Sequence, residues 1–385
     1  MSRLRMMNMP ANSARRFKHG TLSVLHVAQP VDGGVAAYIL RLSRTQRTQG
    51  RQVTVASPPG PLAVSLRERG VDWVEWRATR SPGPSIAAET RALRRIVDRV
   101  RPDIVHLHSS KAGVAGRLRA LGPRTIFQPH GWSWDAVEGA TALAVRRWER
   151  FAAPRSDLLI CVSREERERG ESAGLVAHWR VIENAVDLDE FSFQSEEDRV
   201  RARAQLGLSR APIAVCVGPL RYQKGQDLLV DAWAHVKVAE PEAKLVLVGD
   251  GPEREQVAEL AGGMGVVFAG HQEKVVPWLA AADLVVIPSR WDGLSLSLLE
   301  AMASGRSVVA TDVPGVVRVL GAGGEVVPVG DHSALATALI RRLKDPELTA
   351  REGLAARRRA EEAFDWDLLT ERMDEAYALV MSSQP

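Results

Sequence analysis

Two Rossmann-like α/β domains facing across a cleft are the fold this sequence predicts, on three observations. Short β-branched runs alternate with longer amphipathic ones, the pattern of parallel sheets with helices on both faces. That rhythm occurs twice, separated by a polar, charged stretch at 183–211. The chain has 385 residues and 45% hydrophobic content, enough for two cores of ordinary size.

The first series has strand candidates at 22–29 (LSVLHVAQ), 52–57, 71–76, 103–109 (DIVHLHS), 125–130 (TIFQPH) and 157–163 (DLLICVS). Helices fit between them, for example at 35–49, where Gly50 is a natural stop, and at 87–101. The interruption, ENAVDLDEFSFQSEEDRVRARAQLGLSRAP, reads as a linker with one short helix. The second series has strand candidates at 212–218, 243–249, 265–270, 283–289, 307–312 and 324–330, and the chain closes with helices near 332–345, 346–363 and 367–381. The expected division is a basic disordered tail at 1–20, a first domain at 21–190, a second at 191–365 and a terminal helix at 366–385.

Charge is uneven along the chain. Residues 1–190 carry 30 Lys and Arg against 19 Asp and Glu, a net of +11, and the remainder carries 21 against 28, a net of −7. A basic first half points to an anionic surface for that half alone. Anionic membrane lipid is one candidate and nucleic acid another; scattered solvated arginines are the competing reading. No helix-turn-helix, zinc-finger or RNA-recognition pattern occurs, so nucleic acid is not an expected partner. No apolar run reaches the ~18 residues of a membrane span. The basic start lacks the apolar core and cleavage site of a secretory signal. Cys161 and Cys216 sit inside apolar runs and read as buried thiols in a reducing cytoplasm.

The segment at 288–309, PSRWDGLSLSLLEAMASGRSVV, carries the most chemistry. A strand ends at Pro288 and Ser289, a short loop holds Asp292, and a helix closed by Gly305 carries an isolated carboxylate, Glu300, in an apolar run. Open α/β sheets bind ligands beyond the carboxyl ends of their strands, where helix N-termini aim backbone N–H groups at anions. This acid-x7-acid spacing resembles the E-x7-E signature of the retaining family 4 glycosyltransferases, which have the GT-B fold. The resemblance runs from about residue 22 to the C-terminal helices. It implies that Glu300 grips the ribose of a nucleotide-sugar and that Asp292 contacts the transferred sugar. It also implies that the last helix crosses back onto the first domain. The family usually has Glu where this chain has Asp292, and Gly-aromatic-Gly where it has Gly293, Leu294 and Ser295. Asp is one methylene shorter, so its reach toward a sugar differs. The backbone N–H groups of Gly293, Leu294 and Ser295 can face the sugar or the β-phosphate.

Other residues complete the expected site. Lys224 follows a strand in GPLRYQKGQDLLVDAW and can neutralise the leaving diphosphate. The family places an Arg five residues before this Lys; here Pro219 stands there, and Arg221 can supply the guanidinium. Gly33 and Gly34 open the first helix and let backbone approach a phosphate. Gly249 and Gly251, in GDGPE, resemble the family's Gly-x-Gly-Pro turn and are expected mainly to build it, with some cleft contact. His130, before Gly131, resembles the family's His-Gly facing the donor sugar. His271 is expected near the base. Trp132 and Trp134 either pack in the core or line the acceptor side.

His106 and His108 share one strand face, a metal-like geometry with no evident third ligand. Asp187 and Asp189 resemble an Asp-x-Asp metal site but stand in the linker. No metal or cofactor is therefore expected. The expected activity is a cytoplasmic, metal-independent retaining transferase. It would move a sugar from a UDP- or GDP-linked donor to a glycan or lipid-linked acceptor, and the basic half would allow peripheral contact with the inner membrane face. Rival readings are a UDP-sugar 2-epimerase of the same fold, a nicotinamide-dependent dehydrogenase, disfavoured by the incomplete glycine fingerprint, and a non-catalytic sugar-nucleotide-binding protein.

Overall fold

The structure, a computed structural model, describes residues 21–80 and 83–382, so the expected basic tail at 1–20 lies outside it. The strands of the first half are β1 Ser23–Ala28, β2 Gln52–Ser57, β3 Asp72–Glu75, β4 Ile104–His108, β5 Arg124–Gln128, β6 Leu158–Cys161 and β7 Trp179–Val181. Those of the second are β8 Ile213–Val217, β9 Lys244–Val248, β10 Val266–Gly270, β11 Leu284–Ile287, β12 Ser307–Thr311 and β13 Gly324–Val327. The first seven form one parallel sheet in the order β3-β2-β1-β4-β5-β6-β7, and the other six a second, β10-β9-β8-β11-β12-β13. Each order reverses direction at one point, between β1 and β4 and between β8 and β11, which is where such sheets bind ligands.

The strands read as continuous apolar runs because both faces of each sheet are covered. Within β1, Val24 and Ala28 enter one core while Leu25 and Val27 enter the opposite one. Within β8, Ile213 and Val215 divide from Ala214 and Cys216 in the same way. The strand the sequence does not announce is β7. It is three residues long, reads Trp-Arg-Val, and pairs with β6 at the sheet edge. The linker's short helix is Glu196–Gln205, started by a capping box in which Ser195 and Asp198 exchange hydrogen bonds.

The terminal helix, Trp366–Ser382, leaves the second domain and packs on the first. Its buried residues Trp366, Leu369, Met373, Ala376, Tyr377 and Val380 recur at helical spacing and join the core of Val24, Tyr38, Ile39 and Leu42. Each large apolar side chain buried this way contributes about 2 kcal/mol. The two crossing segments also pair with each other: Val186 N–H donates to Phe364 O at 2.8 Å and Trp366 N–H to Val186 O at 3.1 Å.

Candidate active site

The turn after β8 is built by close backbone approach. A Cβ on Gly249 would lie 2.0 Å from Gly218 O, and one on Gly251 2.3 Å from Leu220 O. Leu220 N–H donates to Asp250 O at 3.0 Å. Gly249 and Gly251 thus form the seam between the turns after β8 and β9. Gly225 does the same toward β11: its φ is +67°, and a Cβ there would lie 2.1 Å from Pro288 O. Arg290 N–H donates to Gln223 O at 2.8 Å, Gln223 Nε2 donates to Trp291 O at 3.1 Å, and the Arg290 guanidinium pairs with Asp227. These bonds fix the Lys224 turn against the loop after β11. Lys224 Nζ therefore meets Asp292 Oδ2 at 2.5 Å, with both side chains mostly buried.

Asp292 Oδ1 also accepts from Gly293 N–H at 3.1 Å. The next helix, Leu296–Ala303, has extended Ser295 at its N-cap with no side-chain cap bond. Its first N–H groups thus lack intrahelical acceptors and stand beside Lys224 and Asp292. Across the cleft the Gly33–Thr48 helix begins the same way, its N-cap Asp32 making no cap bond. Asp32 instead accepts from Arg221 Nη2, with both oxygens at 3.2 Å. A Cβ on Gly34 would touch Leu296 Cδ1 at 3.8 Å. Two helix N-termini, one from each domain, thus face each other between Lys224 and Arg221. Arg80 adds a third cation: burial lowers its pKa first, then the like charge of Arg221, with Asp32 opposing.

Glu300 is half-buried on the Leu296–Ala303 helix. Burial is the main cause that pushes its carboxyl up to about 7; Glu190 adds to the rise and Arg41 opposes it. No described residue hydrogen-bonds to its carboxylate.

His130 sits at the end of β5 in the left-handed region, φ +56°, followed by Gly131 at φ +106°. Its backbone is pinned by Glu166, a buried carboxylate that accepts from Gly131 N–H and from Val162 N–H. Burial, rather than those bonds, dominates Glu166 and pushes it up to about 7. The His130 carbonyl oxygen would lie 3.3 Å from a Cβ on Gly293, so this turn touches the Asp292 loop across the cleft.

Two of the aromatic candidates stand elsewhere than the acceptor side. Trp132 and Trp134 are buried core residues, stacked at 4.4 Å, with Trp132 Nε1 donating to Glu166 O. That is a correction of the acceptor-side option, because neither ring reaches solvent. His271 lies exposed just past β10, the outer strand of its sheet and two strands from the switch point. Asp187 Oδ1 accepts from the N–H groups of Asp189 and Glu190 at 3.0 Å, and its carboxylate pairs with Arg41, which makes it a turn and ion-pair residue.

The structure also adds a partner the sequence did not offer to His106 and His108. His26, on β1, lies beside both, and these are the group of three potential ligands that comes within 4.8 Å among the described residues. Burial holds His26 down to about 4, His130 down to about 3, and His106 and His108 well below the ordinary range. The sign of the pH effect follows. Between roughly pH 4 and 6.5 the unfolded chain binds protons that these histidines refuse, so their contribution is present above pH 6.5 and is lost as pH falls. Glu166 and Glu300 oppose this, because their raised pKa makes the native state hold protons up to pH 7. Four histidines outweigh two carboxyls. Stability is expected to fall as the pH is lowered from about 6.5 to 4.5. Thermal unfolding across that range checks it, and a melting temperature that holds or rises on acidification would contradict it.

Comparison with known proteins matches both halves of the chain. Residues 32–190 match Glycosyltransferase Family 4, and residues 211–345 match Glycosyl transferases group 1. The chain is 28% identical to the GDP-mannose-dependent monoacylated alpha-(1-6)-phosphatidylinositol monomannoside mannosyltransferase of Corynebacterium glutamicum, over 95% of this chain and 98% of that one. It is 32% identical to the GDP-mannose-dependent alpha-(1-6)-phosphatidylinositol monomannoside mannosyltransferase of Mycolicibacterium smegmatis, over 66% and 72%. Among solved structures, sucrose-phosphate synthase from Thermosynechococcus elongatus shares the fold with a TM-score of 0.80 at 22% identity, covering 94% of this chain and 100% of that one. Anabaena HepE, solved in complex with UDP-glucose, also gives 0.80 at 22% identity, covering 92% and 99%.

Proposed function

The chain belongs to the family 4 glycosyltransferases of the GT-B fold, and from that premise we propose that its cleft binds a nucleoside-diphosphate sugar and transfers the sugar with retention of configuration. One observation carries the reading: Lys224, Asp292 and the open N-terminus of the Leu296–Ala303 helix meet Arg221 and the open N-terminus of the Gly33–Thr48 helix at the two adjoining switch points. That constellation is preorganised for negative charge, and the leaving diphosphate gains negative charge in the transition state. Glu300 then receives the ribose hydroxyls, since an ionised carboxylate accepts from two neighbours at once. Asp292 and the His130 turn face the sugar from opposite domains. Asp292 holds Lys224 and Asp32 holds Arg221, and a bound diphosphate competes with both carboxylates for these cations. Leaving-group stabilisation is assigned to these side chains and backbone amides, with no resident metal in the reaction.

The acceptor is a glycan or lipid-linked hydroxyl, a reading supported by the relatives' phosphatidylinositol mannoside chemistry and by the basic first half. No described helix is long and apolar enough to cross a membrane, and we place the protein peripherally at the inner membrane face. The epimerase and sensor alternatives gain no support from the relatives, which are transferases.

Thermal unfolding with UDP, GDP, ADP and their sugar conjugates, with and without EDTA, tests the proposal. A ligand bound only by the native state raises the melting temperature by mass action, by about 2.7 kcal/mol of stability at a hundredfold excess over Kd. One diphosphate is expected to give a clear shift that EDTA leaves unchanged. No shift with any nucleotide would overturn the reading of the cleft.

A further inference from the structure

His130 is the outer end of a file of hydrogen-bonded side chains that runs back through the first domain. Its Nε2 lies 3.0 Å from His108 Nδ1, His108 Nε2 lies 3.0 Å from His26 Nδ1, and His26 Nε2 lies 2.8 Å from Gln46 Oε1. The Gln46 amide nitrogen donates at 3.1 Å to the Tyr377 hydroxyl, which lies 2.9 Å from His106 Nδ1. His26, His106, His108 and Gln46 are buried on strands β1 and β4 and on the first helix, and Tyr377 on the terminal helix.

The file has a direction. A neutral imidazole carries one N–H and one lone pair, and an amide oxygen only accepts. Gln46 Oε1 therefore requires the proton of His26 on Nε2, which leaves His26 Nδ1 as an acceptor. His108 must then donate from Nε2 and accept at Nδ1, and His130 must donate from Nε2. The lone pair of His130 ends on Nδ1, which has no partner among the described residues. The orientation of the Gln46 amide, with its nitrogen toward Tyr377, sets every tautomer along the line. Burial keeps these imidazoles neutral, with His26 held down to about 4, which the directional argument needs. Metal ligation by His26, His106 and His108 would break the file, because both nitrogens of His26 and of His108 are already committed to it.

We infer that Gln46, His26 and His108 are positioning residues that hold His130 in the Nε2–H tautomer and present its Nδ1 as a hydrogen-bond acceptor to a hydroxyl of the donor sugar. The identity of that ligand rests on the proposed function; the tautomer does not. The geometry of the His130 turn serves the same end, since Glu166 and Gly131 fix the backbone from which the ring projects.

The test is direct observation of tautomers in the full chain. Protein labelled with 15N-histidine is examined by long-range proton–nitrogen correlation at pH 7, with His130→Gln used to assign its resonances. The expected result is an unprotonated Nδ1 and a protonated Nε2 at His130, His108 and His26 alike. A wild-type His130 protonated on Nδ1, or one averaging both tautomers, would overturn the inference. Gln46→Met keeps the side-chain length but removes both acceptor and donor. It is expected to give mixed tautomers at His130 and to lower kcat/KM for the donor about tenfold, the worth of one well-aligned hydrogen bond, while the protein still melts cooperatively. A folded Gln46→Met protein whose His130 keeps the wild-type tautomer and activity would equally overturn it. Absence of any sugar transfer by the wild-type protein would sink the donor-site reading instead, and the spectra would still decide the tautomer.

Discussion

Replacing Glu300 by Gln is expected to cut kcat/KM for the nucleotide-sugar by about a hundredfold or more and to remove the thermal shift given by the nucleoside diphosphate. The ionised carboxylate offers two acceptors to a pair of ribose hydroxyls, and hydrogen bonds to a charged group are worth about 1.5–3 kcal/mol each. Gln turns one acceptor into a donor, so at least one of the two bonds is lost and the remaining geometry is disturbed. The same substitution should leave the fold unharmed. Glu300 is half-buried, its carboxylate accepts no hydrogen bond from a described residue, and burial pushes that carboxyl up to about 7. At pH 8 it is ionised in a place that disfavours charge, which costs the native state about 3 kcal/mol relative to an ordinary carboxyl. Glu300→Gln should therefore melt at a higher temperature than the wild type at pH 8 while losing activity. Activity lost together with stability would mark Glu300 as a structural residue, and transfer at the wild-type rate would remove it from the site.

Lys224→Met is the second large effect. This ammonium is engaged by Asp292 at 2.5 Å, inside a turn laced to the loop after β11. Its role in the account is to balance charge that grows on the diphosphate as the glycosidic bond breaks, and removing one such preorganised group costs about 10² to 10³ in kcat. The loss should fall on kcat more than on KM, because ground-state binding retains Arg221 and the two helix N-termini. Stability should fall by about 1 kcal/mol or less, since the pair is partly solvated and salt-screened. Steady-state kinetics and thermal melts of the purified variant check both. A change confined to KM would mean that Lys224 serves binding alone.

The sheets could be read from the sequence because buried parallel strands leave continuous apolar runs, and each of the twelve strand candidates became a strand. The edge strand β7 left no such trace, being three residues of mixed polarity held by its pairing with β6. Lys224 and Asp292 were readable as neighbours because each follows a strand end in its own domain, and Glu300 stands on the helix that the Asp292 loop leads into. Their partners across the cleft were not, since Asp32 meets Arg221 over 189 residues of chain. The histidine file shows the same limit. His106 and His108 share a face by strand periodicity, but His26 joins them only through the pairing of β1 with β4, where His26 stands opposite His106. The strand order supplies that register, and the usable signal is parity: histidines at like positions in adjacent central strands. Trp132 and Trp134 were ambiguous for a different reason. An aromatic after a His-Gly turn suits either a sugar or a core, and the packing of Trp132 and Trp179 over Gly170 decides for the core.

The central claim is that a nucleoside diphosphate lies between Lys224 and Glu300. Calorimetric titration of the diphosphate selected by the thermal screen tests it most directly, run on the wild type, Lys224→Met and Glu300→Gln under one set of conditions. One site per chain is expected in the wild type, with Kd weakened at least about tenfold in Glu300→Gln and less in Lys224→Met, each 1.4 kcal/mol being a factor of ten. Equal affinity in all three proteins would contradict it, as would a wild type that binds no diphosphate at all.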